Sequence, residues 1–438
     1  MIEARLPSGA LHSIWIADAA TGAGREIWQN SPEDSLPPQA RQLRWAGRHV
    51  TFLAEPRGWG HLFSVDARRP GSEAVELSPG SGMVEHVAHS ADGATVYYAA
   101  NVGDIDRRHL FKVPVAGGRP SQLTSGSGIE TYPAALASGA QVAVLSATER
   151  RPQGVALVPA GGGAARVITA LPGGFPLDRQ VTPQAVTLQA EDGFEFYNQV
   201  FLPPDLKPGE RRPALMFIHG GSRRQMLLGY HYMHFYHMAY AMNQYFANKG
   251  YVVLSVNYRS GIGYGRAFRN AVGRGAEGNT EYRDIIAAGR YLQKRPDVDP
   301  SRVGLWGLSY GGILTAQGLA RNSDVFAAGV DIAGVHLYGT SIDPRSVSYR
   351  SSAVSEVRGW KSPVLLIHGD DDRNVAFSQT VGLVQALRAN KVPHELIVFP
   401  DEVHDFLAHR RWLETFGATD DFFARTLVRR EPVRAGTN

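Results

Sequence analysis

Residues 302–312 read Arg302-Val303-Gly304-Leu305-Trp306-Gly307-Leu308-Ser309-Tyr310-Gly311-Gly312, and no other stretch narrows the folds open to this chain so far. Val303, Leu305 and Trp306 end a buried strand, and Ile313-Leu314-Thr315-Ala316 opens a helical run. Between them, Gly307-Leu308-Ser309-Tyr310-Gly311 fits the G-x-S-x-G pattern. A strand that turns straight into a helix leaves no room for side chains beside the turn, so small residues are needed on both flanks. The turn pushes the serine hydroxyl out of the sheet, near the positive end of the following helix. A Gly-rich turn before a helix has many structural uses. It is the strand–turn–helix setting that makes Ser309 a candidate nucleophile.

A serine hydroxyl attacks only when a base takes its proton, and a third group must orient that base. In α/β-hydrolases the partners follow in the order serine, acid, histidine. Pro363-Val364-Leu365-Leu366-Ile367-His368-Gly369 reads as a buried parallel strand running into Asp370-Asp371-Asp372-Arg373-Asn374-Val375. Leu396-Ile397-Val398-Phe399-Pro400 is a further strand, followed by Asp401-Glu402-Val403-His404-Asp405-Phe406. Both candidate loops leave the carboxyl ends of strands, the edge on which open parallel sheets carry their sites. Three successive aspartates ordinarily make a solvated loop, which is the reading given to Asp370 and Asp371. His368, ending a strand before a glycine, reads as structural. The order and strand-end placement of Ser309, Asp372 and His404 single these three out as a triad.

These residues resemble the prolyl oligopeptidase family of serine peptidases, nearest its dipeptidyl-peptidase-IV-like and acylaminoacyl-peptidase-like branch. The likeness covers nearly the whole chain and is dense between about residues 212 and 410. It rests on Phe217-Ile218-His219-Gly220-Gly221, Val256-Asn257-Tyr258-Arg259-Ser260-Gly261-Ile262-Gly263-Tyr264-Gly265 and the segment around Ser309. His368-Gly369-Asp370-Asp371-Asp372-Arg373-Asn374-Val375 and Phe399-Pro400-Asp401-Glu402-Val403-His404 complete it. The family's His-Gly-x-x-Asp-x-x-Val motif places the acid at its fifth position, Asp372, and a substrate contact at its seventh, Asn374. An oxyanion hole needs preorganised N–H donors. The residue after the nucleophile, Tyr310, supplies one, and the resemblance implies Gly221 for the other. Many relatives have proline after this glycine pair or tyrosine before it, whereas this chain has Ser222 and His219. Tyr310 and Tyr338 are candidate walls of a substrate pocket. Peptide-end preference stays open, because the chain has no Glu-Glu pair of the kind that dipeptidyl-peptidase-IV-like relatives use to hold a free amino terminus.

Composition bounds the rest. A length of 438 residues suits two to three domains, and 43% hydrophobic residues can fill substantial cores. The net charge is only +4, with arginines spread along the chain and no aromatic-interleaved basic stripe, which argues against nucleic-acid binding. Cysteine is absent, excluding disulfides, thiolate catalysis and cysteine zinc sites. Apolar runs are strand-sized, so no membrane helix is expected. Residues 1–7 lack the basic and apolar regions of a secretion signal, which points to a cytoplasmic protein, or a periplasmic one if an N-terminal part is missing. Tyr230-His231-Tyr232-Met233-His234-Phe235-Tyr236-His237 invites a metal reading, but without an acidic ligand set its spacing suits an aromatic helix instead. No metal and no cofactor is expected. The oligomeric state is open, a homo-oligomer included.

The first 180 residues repeat internally. Ser13-Ile14-Trp15-Ile16-Ala17-Asp18 matches His61-Leu62-Phe63-Ser64-Val65-Asp66, His109-Leu110-Phe111-Lys112-Val113-Pro114 and, more weakly, Gly154-Val155-Ala156-Leu157-Val158-Pro159. Leu77-Ser78-Pro79-Gly80-Ser81-Gly82 recurs as Leu123-Thr124-Ser125-Gly126-Ser127-Gly128. A period of about 46 residues, built from short alternating strands and Gly-rich turns, is the signature of β-propeller blades. Three blades and the outer part of a fourth fit before residue 180, fewer than the about seven or eight that the resemblance implies. The chain therefore reads as a family member lacking its N-terminal part.

From residue 186 the pattern becomes α/β. Strands are expected at 214–218, 251–257, 302–308, 329–333, 363–367 and 394–399. Helices are expected at 281–293, 313–321, 378–390 and from 411 to about 428. The expected architecture is an α/β-hydrolase domain with a doubly wound, mostly parallel sheet over 186–438. An incomplete all-β propeller-type domain over 1–180 precedes it, joined by a linker at 166–186. The function this implies is a serine-type peptidase acting on short peptides through an acyl-enzyme. The alternatives are a carboxylesterase with the same triad, or an inactive protein whose partial propeller is an interaction surface.

Overall fold

The computed structural model describes residues 12–30, 42–69, 71–339 and 342–433, so the leader reading of residues 1–7 lies outside them. Two compact units result. One runs up to Phe175 and includes Gly263–Ala267, and the other holds Pro176–Ile262 and everything from Phe268 on.

The first unit is built of short antiparallel strands. β1 (Ser13–Ala17) pairs with β2 (Gly24–Gln29). Three four-stranded meanders follow. The first is β3 (Arg44–Ala46), β4 (His49–Ala54), β5 (His61–Asp66) and β6 (Val75–Glu76). The second is β7 (Val84–His89), β8 (Thr95–Ala100), β9 (His109–Pro114) and β10 (Ser121–Gln122). The third is β11 (Ile129–Ala135), β12 (Gln141–Ala147), β13 (Gly154–Pro159) and β14 (Arg166–Val167). The repeated segments are β5, β9 and β13, the third strand of each four-stranded sheet, and β1 of the two-stranded sheet. Alternation of side chains along a strand joins one sheet to the next. Val96, Tyr98 and Ala100 of β8 enter a core with Leu53 and Leu62, while Tyr97 enters the next core with Val142 and Val144.

The fourth strand of each sheet is only two residues long, too short to satisfy its neighbour's backbone. A side chain completes the ladder. The N–H groups of Leu77, Leu123 and Ile168 donate to the carbonyls of Leu62, Leu110 and Val155 at 2.7, 2.7 and 2.8 Å. The next hydroxyls, of Ser78, Thr124 and Thr169, accept the N–H of those same three residues at 2.8, 2.9 and 3.1 Å. The Leu-Ser and Leu-Thr repeats in the sequence are thus the clamps of the first two sheets, and Ile168-Thr169 is a third that the repeat did not disclose.

The second unit carries an eight-stranded sheet. Its strands are β15 (Gln184–Gln189), β16 (Glu195–Phe201), β17 (Arg212–Ile218), β18 (Val252–Asn257), β19 (Val298–Leu308), β20 (Ala328–Ile332), β21 (Val364–Gly369) and β22 (His394–Phe399). Their spatial order is β15-β16-β18-β17-β19-β20-β21-β22. The pairs β15–β16 and β16–β18 are antiparallel and all others parallel. The connections carry α1 (His234–Asn248), the short α2 (Arg266–Arg269), α3 (Glu281–Lys294), α4 (Tyr310–Arg321), the short α5 (Val347–Arg350) and α6 (Ser378–Ala389). α7 (His409–Phe423) follows the last strand. Central strands covered on both faces read as continuous apolar runs, and Trp306 of β19 is wholly buried, with Phe217 of β17 at 4.6 Å between ring centroids.

The expected elements occur with shifted ends: β19 starts at Val298 rather than 302, and α4 at Tyr310 rather than 313. β15 and β16 were not anticipated. β15 is a half-exposed edge strand, Gln-Ala-Val-Thr-Leu-Gln, whose polar alternation resembles a connecting segment. The stretch 166–186 is not a plain linker: Arg166–Val167 is β14, and Gln184 already belongs to β15. Ser78→Ala leaves the Leu62 N–H buried without an acceptor and is expected to cost about 1–3 kcal/mol of local stability. Faster amide hydrogen exchange at Leu62 reads this out, and Ser78→Thr should retain the protection.

Candidate active site

β19 delivers Ser309 to the N-cap of α4 with φ 61° and ψ −117°, a left-handed conformation for a residue with a side chain. The turn is held by Ser309 N–H donating to Ile332 O at 2.8 Å and Ile313 N–H to Ser309 O at 3.0 Å. A Cβ at 307 or at 311 would overlap the carbonyl oxygen of Ile218 at the end of β17, so both glycines of the pattern answer to one backbone oxygen. The adjoining loop, His219-Gly220-Gly221, lies against the serine. The point where a Gly220 Cβ would stand is 2.8 Å from Leu308 O and 3.4 Å from Ser309 Cβ. Gly221, with φ 119°, is the next residue of that loop and is exposed.

Asp372 and His404 come together from separate loops. Asp372 follows β21, His404 follows β22, and His404 Nδ1 lies 2.6 Å from Asp372 Oδ2. The aspartate side chain is 0% exposed and the histidine side chain 16%. Asp372 Oδ1 accepts the N–H groups of Asn374 and Val375, both at 2.8 Å. Burial opposes the charge on Asp372. The Val375 N–H, the hydrogen bond and charge of His404 and the Asn374 N–H outweigh it, holding the carboxyl below the usual carboxylate range. Asn374 therefore meets the site through its backbone, while its side chain is exposed. Asp370 and Asp371 are also exposed; the first accepts Asp401 N–H at 2.8 Å, the second faces Arg373 at 3.3 Å.

Tyr310, first residue of α4, is half-buried. Its hydroxyl donates to Glu281 Oε1 at 2.7 Å, and Glu281, fully buried, also accepts Gly275 N–H at 3.0 Å. Burial raises the Tyr310 phenol far above its ordinary value. Tyr338, in the loop after β20, has its phenol oxygen buried facing Tyr310, and its backbone N–H donates to Ser352 Oγ at 2.8 Å. Tyr258 stacks on His219 with ring centroids 4.3 Å apart and donates to its carbonyl at 2.9 Å. Burial pushes the His219 imidazole down to about 4, so that ring is neutral packing beneath the loop.

Three residues of this neighbourhood were not singled out in the sequence: Glu281, Tyr258 and Tyr236. Tyr236 of α1 reaches back so that its oxygen is 3.1 Å from the Gly220 Cβ point beside Ser309. Burial pushes its phenol up to about 12. Its segment, expected as an aromatic helix, packs as aromatic core: Tyr230 donates to Gln180 Oε1 at 2.8 Å, and Phe235 meets Trp412 at 5.2 Å. Among the described residues no group of three or more His, Asp or Glu stands close enough to hold a metal ion. No helix there is long and apolar enough to cross a membrane.

A serine on a strand-to-helix turn, a paired aspartate and histidine, and a glycine loop against the serine all lie at the carboxyl edge of one sheet, in an α/β-hydrolase architecture. Residues 236–429 match the model of the prolyl oligopeptidase family, and residues 12–152 that of the dipeptidyl peptidase IV N-terminal region. The chain belongs to the prolyl oligopeptidase family. It is 30% identical over 246 residues to dipeptidyl aminopeptidase BIII of Pseudoxanthomonas mexicana, an alignment covering 50% of this chain and 34% of the relative. It is 31% identical over 253 residues to dipeptidyl peptidase 8 of Homo sapiens, covering 54% and 28%. The chain thus aligns with about a third of the length of those relatives. A solved Mycobacterium tuberculosis puromycin-hydrolyzing peptidase shares the fold with a TM-score of 0.82 at 21% identity, over 97% of this chain and 66% of that one.

The double glycine requirement yields a direct expectation. Gly311→Ala must force α4 away from β17 and is expected to destabilise the second unit by about 3 kcal/mol, measured by urea unfolding of the full chain. An unchanged midpoint would contradict the close approach at Ile218.

Proposed function

We propose that the chain is a serine-type peptidase that cleaves short peptides through an acyl-enzyme. The observation that carries this reading is the 2.6 Å pairing of His404 Nδ1 with Asp372 Oδ2 on the sheet edge where the elbow presents Ser309. In this reading Ser309 Oγ attacks the scissile carbonyl while His404 Nε2 takes its proton and returns it to the leaving amine. Asp372 holds the imidazole with Nδ1–H toward the carboxylate and stabilises the imidazolium that forms. The Tyr310 N–H, at the unpaired positive end of α4, and the Gly221 N–H face the oxyanion, where such donors act without reorganisation. Water then cleaves the acyl-enzyme by the same proton transfers. Tyr310 and Tyr338 wall the pocket for the residue before the cut, and Asn374 contributes a substrate contact. The names of the relatives, dipeptidyl peptidases and a puromycin-hydrolyzing peptidase, support amide rather than ester substrates.

Ser309→Ala is expected to lower kcat by about six orders of magnitude, the loss seen when a triad nucleophile is removed. A fluorophosphonate probe should label Ser309 in the folded chain, and absence of label there would favour an inactive interaction protein. Rates on a peptide anilide and a p-nitrophenyl ester separate the other alternative: turnover of the ester alone would make the chain a carboxylesterase.

A further inference from the structure

The Asp372 carboxylate meets a second imidazole. His368, near the end of β21, is completely buried. Its Nε2 lies 3.1 Å from Asp372 Oδ2 and 3.0 Å from Val375 O, and its Nδ1 lies 2.7 Å from Thr380 Oγ1 in the first turn of α6. A backbone carbonyl and an ionised carboxylate can only accept, so the ring proton sits on Nε2. Nδ1 is then an acceptor, and the Thr380 hydroxyl, which can donate, fills it. Burial pushes this imidazole below its ordinary value despite the neighbouring Asp372 charge, which keeps it in the neutral form this pattern needs. Asp372 Oδ2 thus receives two ring N–H groups and Oδ1 two backbone N–H groups.

We propose that His368, its Nε2–H fixed by the Asp372 and Val375 acceptors and its ring held in place by Thr380, is a positioning residue that aims the Asp372 carboxylate at His404. The inference rests on the triad reading above. A carboxylate held only through Oδ1 by its own loop can swing about its Cβ–Cγ bond. A donor fixed to the sheet at Oδ2 removes that freedom and leaves one lone-pair direction for His404. It also draws charge from Oδ2, moderating how strongly the carboxylate stabilises the His404 imidazolium. The titratable groups facing this pair from the packed elements are few. Asp331 of β20 acts on His368 through its charge and is itself paired with His336 Nε2 at 2.6 Å. His404 approaches from the loop after β22. Phe377 closes the remaining side edge-on, at 5.5 Å.

The test is steady-state kinetics of the full chain on a peptide anilide, with fluorophosphonate labelling of Ser309 in parallel. His368→Phe removes the donor and is expected to lower kcat about tenfold to a hundredfold at unchanged KM, the range for one hydrogen bond to a charged group. His368→Gln places an amide N–H near the lost Nε2–H and should return kcat to within about threefold of the parent. Thr380→Val removes the hydroxyl that holds the Nδ1 edge of the ring, loosens the Nε2–H contact with Oδ2 and should lower kcat, with the acidic limb of kcat/KM moving to higher pH as Oδ2 regains charge. Parent-like kcat in both His368→Phe and Thr380→Val overturns the inference, as does a His368→Gln variant no faster than His368→Phe, which would point to packing alone. If His368→Phe does not fold, Thr380→Val decides: a lowered kcat with a shifted limb supports the inference, and a parent-like profile overturns it. Failure of the triad reading is separable, because Ser309 would then go unlabelled in the parent chain.

Discussion

The contact on which the site depends is the approach of the Gly307 and Gly311 backbone to the Ile218 carbonyl. It brings α4 against the end of β17 more closely than any side chain at 307 or 311 would allow. From that approach follow the left-handed backbone of Ser309, the seating of Gly220 against the serine and the orientation of the first α4 N–H groups. A residue forced into such a backbone costs about 1–3 kcal/mol. Here parallel pairing offsets the cost by fixing β17 and β19 in register from Ala214↔Val303 through Ile218↔Gly307.

Charge is managed by the same sheet edge. Asp372 has no exposed side-chain surface, yet it stays ionised because every lone-pair direction is met by an N–H. Its partners come from the acid loop itself, from β21 and from the loop after β22, so the carboxylate ties the β21–β22 crossover to the loop that leads into α7. The Tyr310–Glu281 hydrogen bond does similar work on the other flank, fastening the residue after Ser309 to α3 and to the Gly275 backbone. A second buried charge system, Arg259 between Asp192 and Asp284, joins the β15–β16 turn to α3. The guanidinium lies 2.7 Å from one carboxylate and 2.6 Å from the other. Breaking one partner of such a system leaves an uncompensated charge in the interior, which is why it anchors elements distant in sequence.

The first unit is stabilised by a different economy. Each four-stranded sheet is narrow, its last strand is two residues long, and one hydroxyl per such sheet supplies the hydrogen bond that a longer strand would make. The cores lie between sheets rather than within one, as the two faces of β8 show. Stability in such an array adds up sheet by sheet through neighbouring interfaces.

The order of elements, the blade repeat, the elbow and the candidates Ser309, Asp372 and His404 were legible in the chain itself. Each depends on short-range physics: strand alternation, apolar runs too long for a loop, and the steric demand of a tight turn on its flanking glycines. The antiparallel pair β15–β16 was not legible, because a half-exposed edge strand carries too weak an alternation to stand out from a linker. Nor were the supports of the site. His368 read as an ordinary strand end, Glu281 as a helix start and Tyr236 as part of an aromatic helix. Only the strand order β18-β17-β19-β20-β21-β22 and the helices returning over it set His368 between Asp372 and Thr380, and the Tyr236 hydroxyl beside Gly220. Local sequence determined which groups could do chemistry. Their neighbours were decided by tertiary packing, because hydrogen bonds and buried charges act over a few ångströms between residues far apart in the chain.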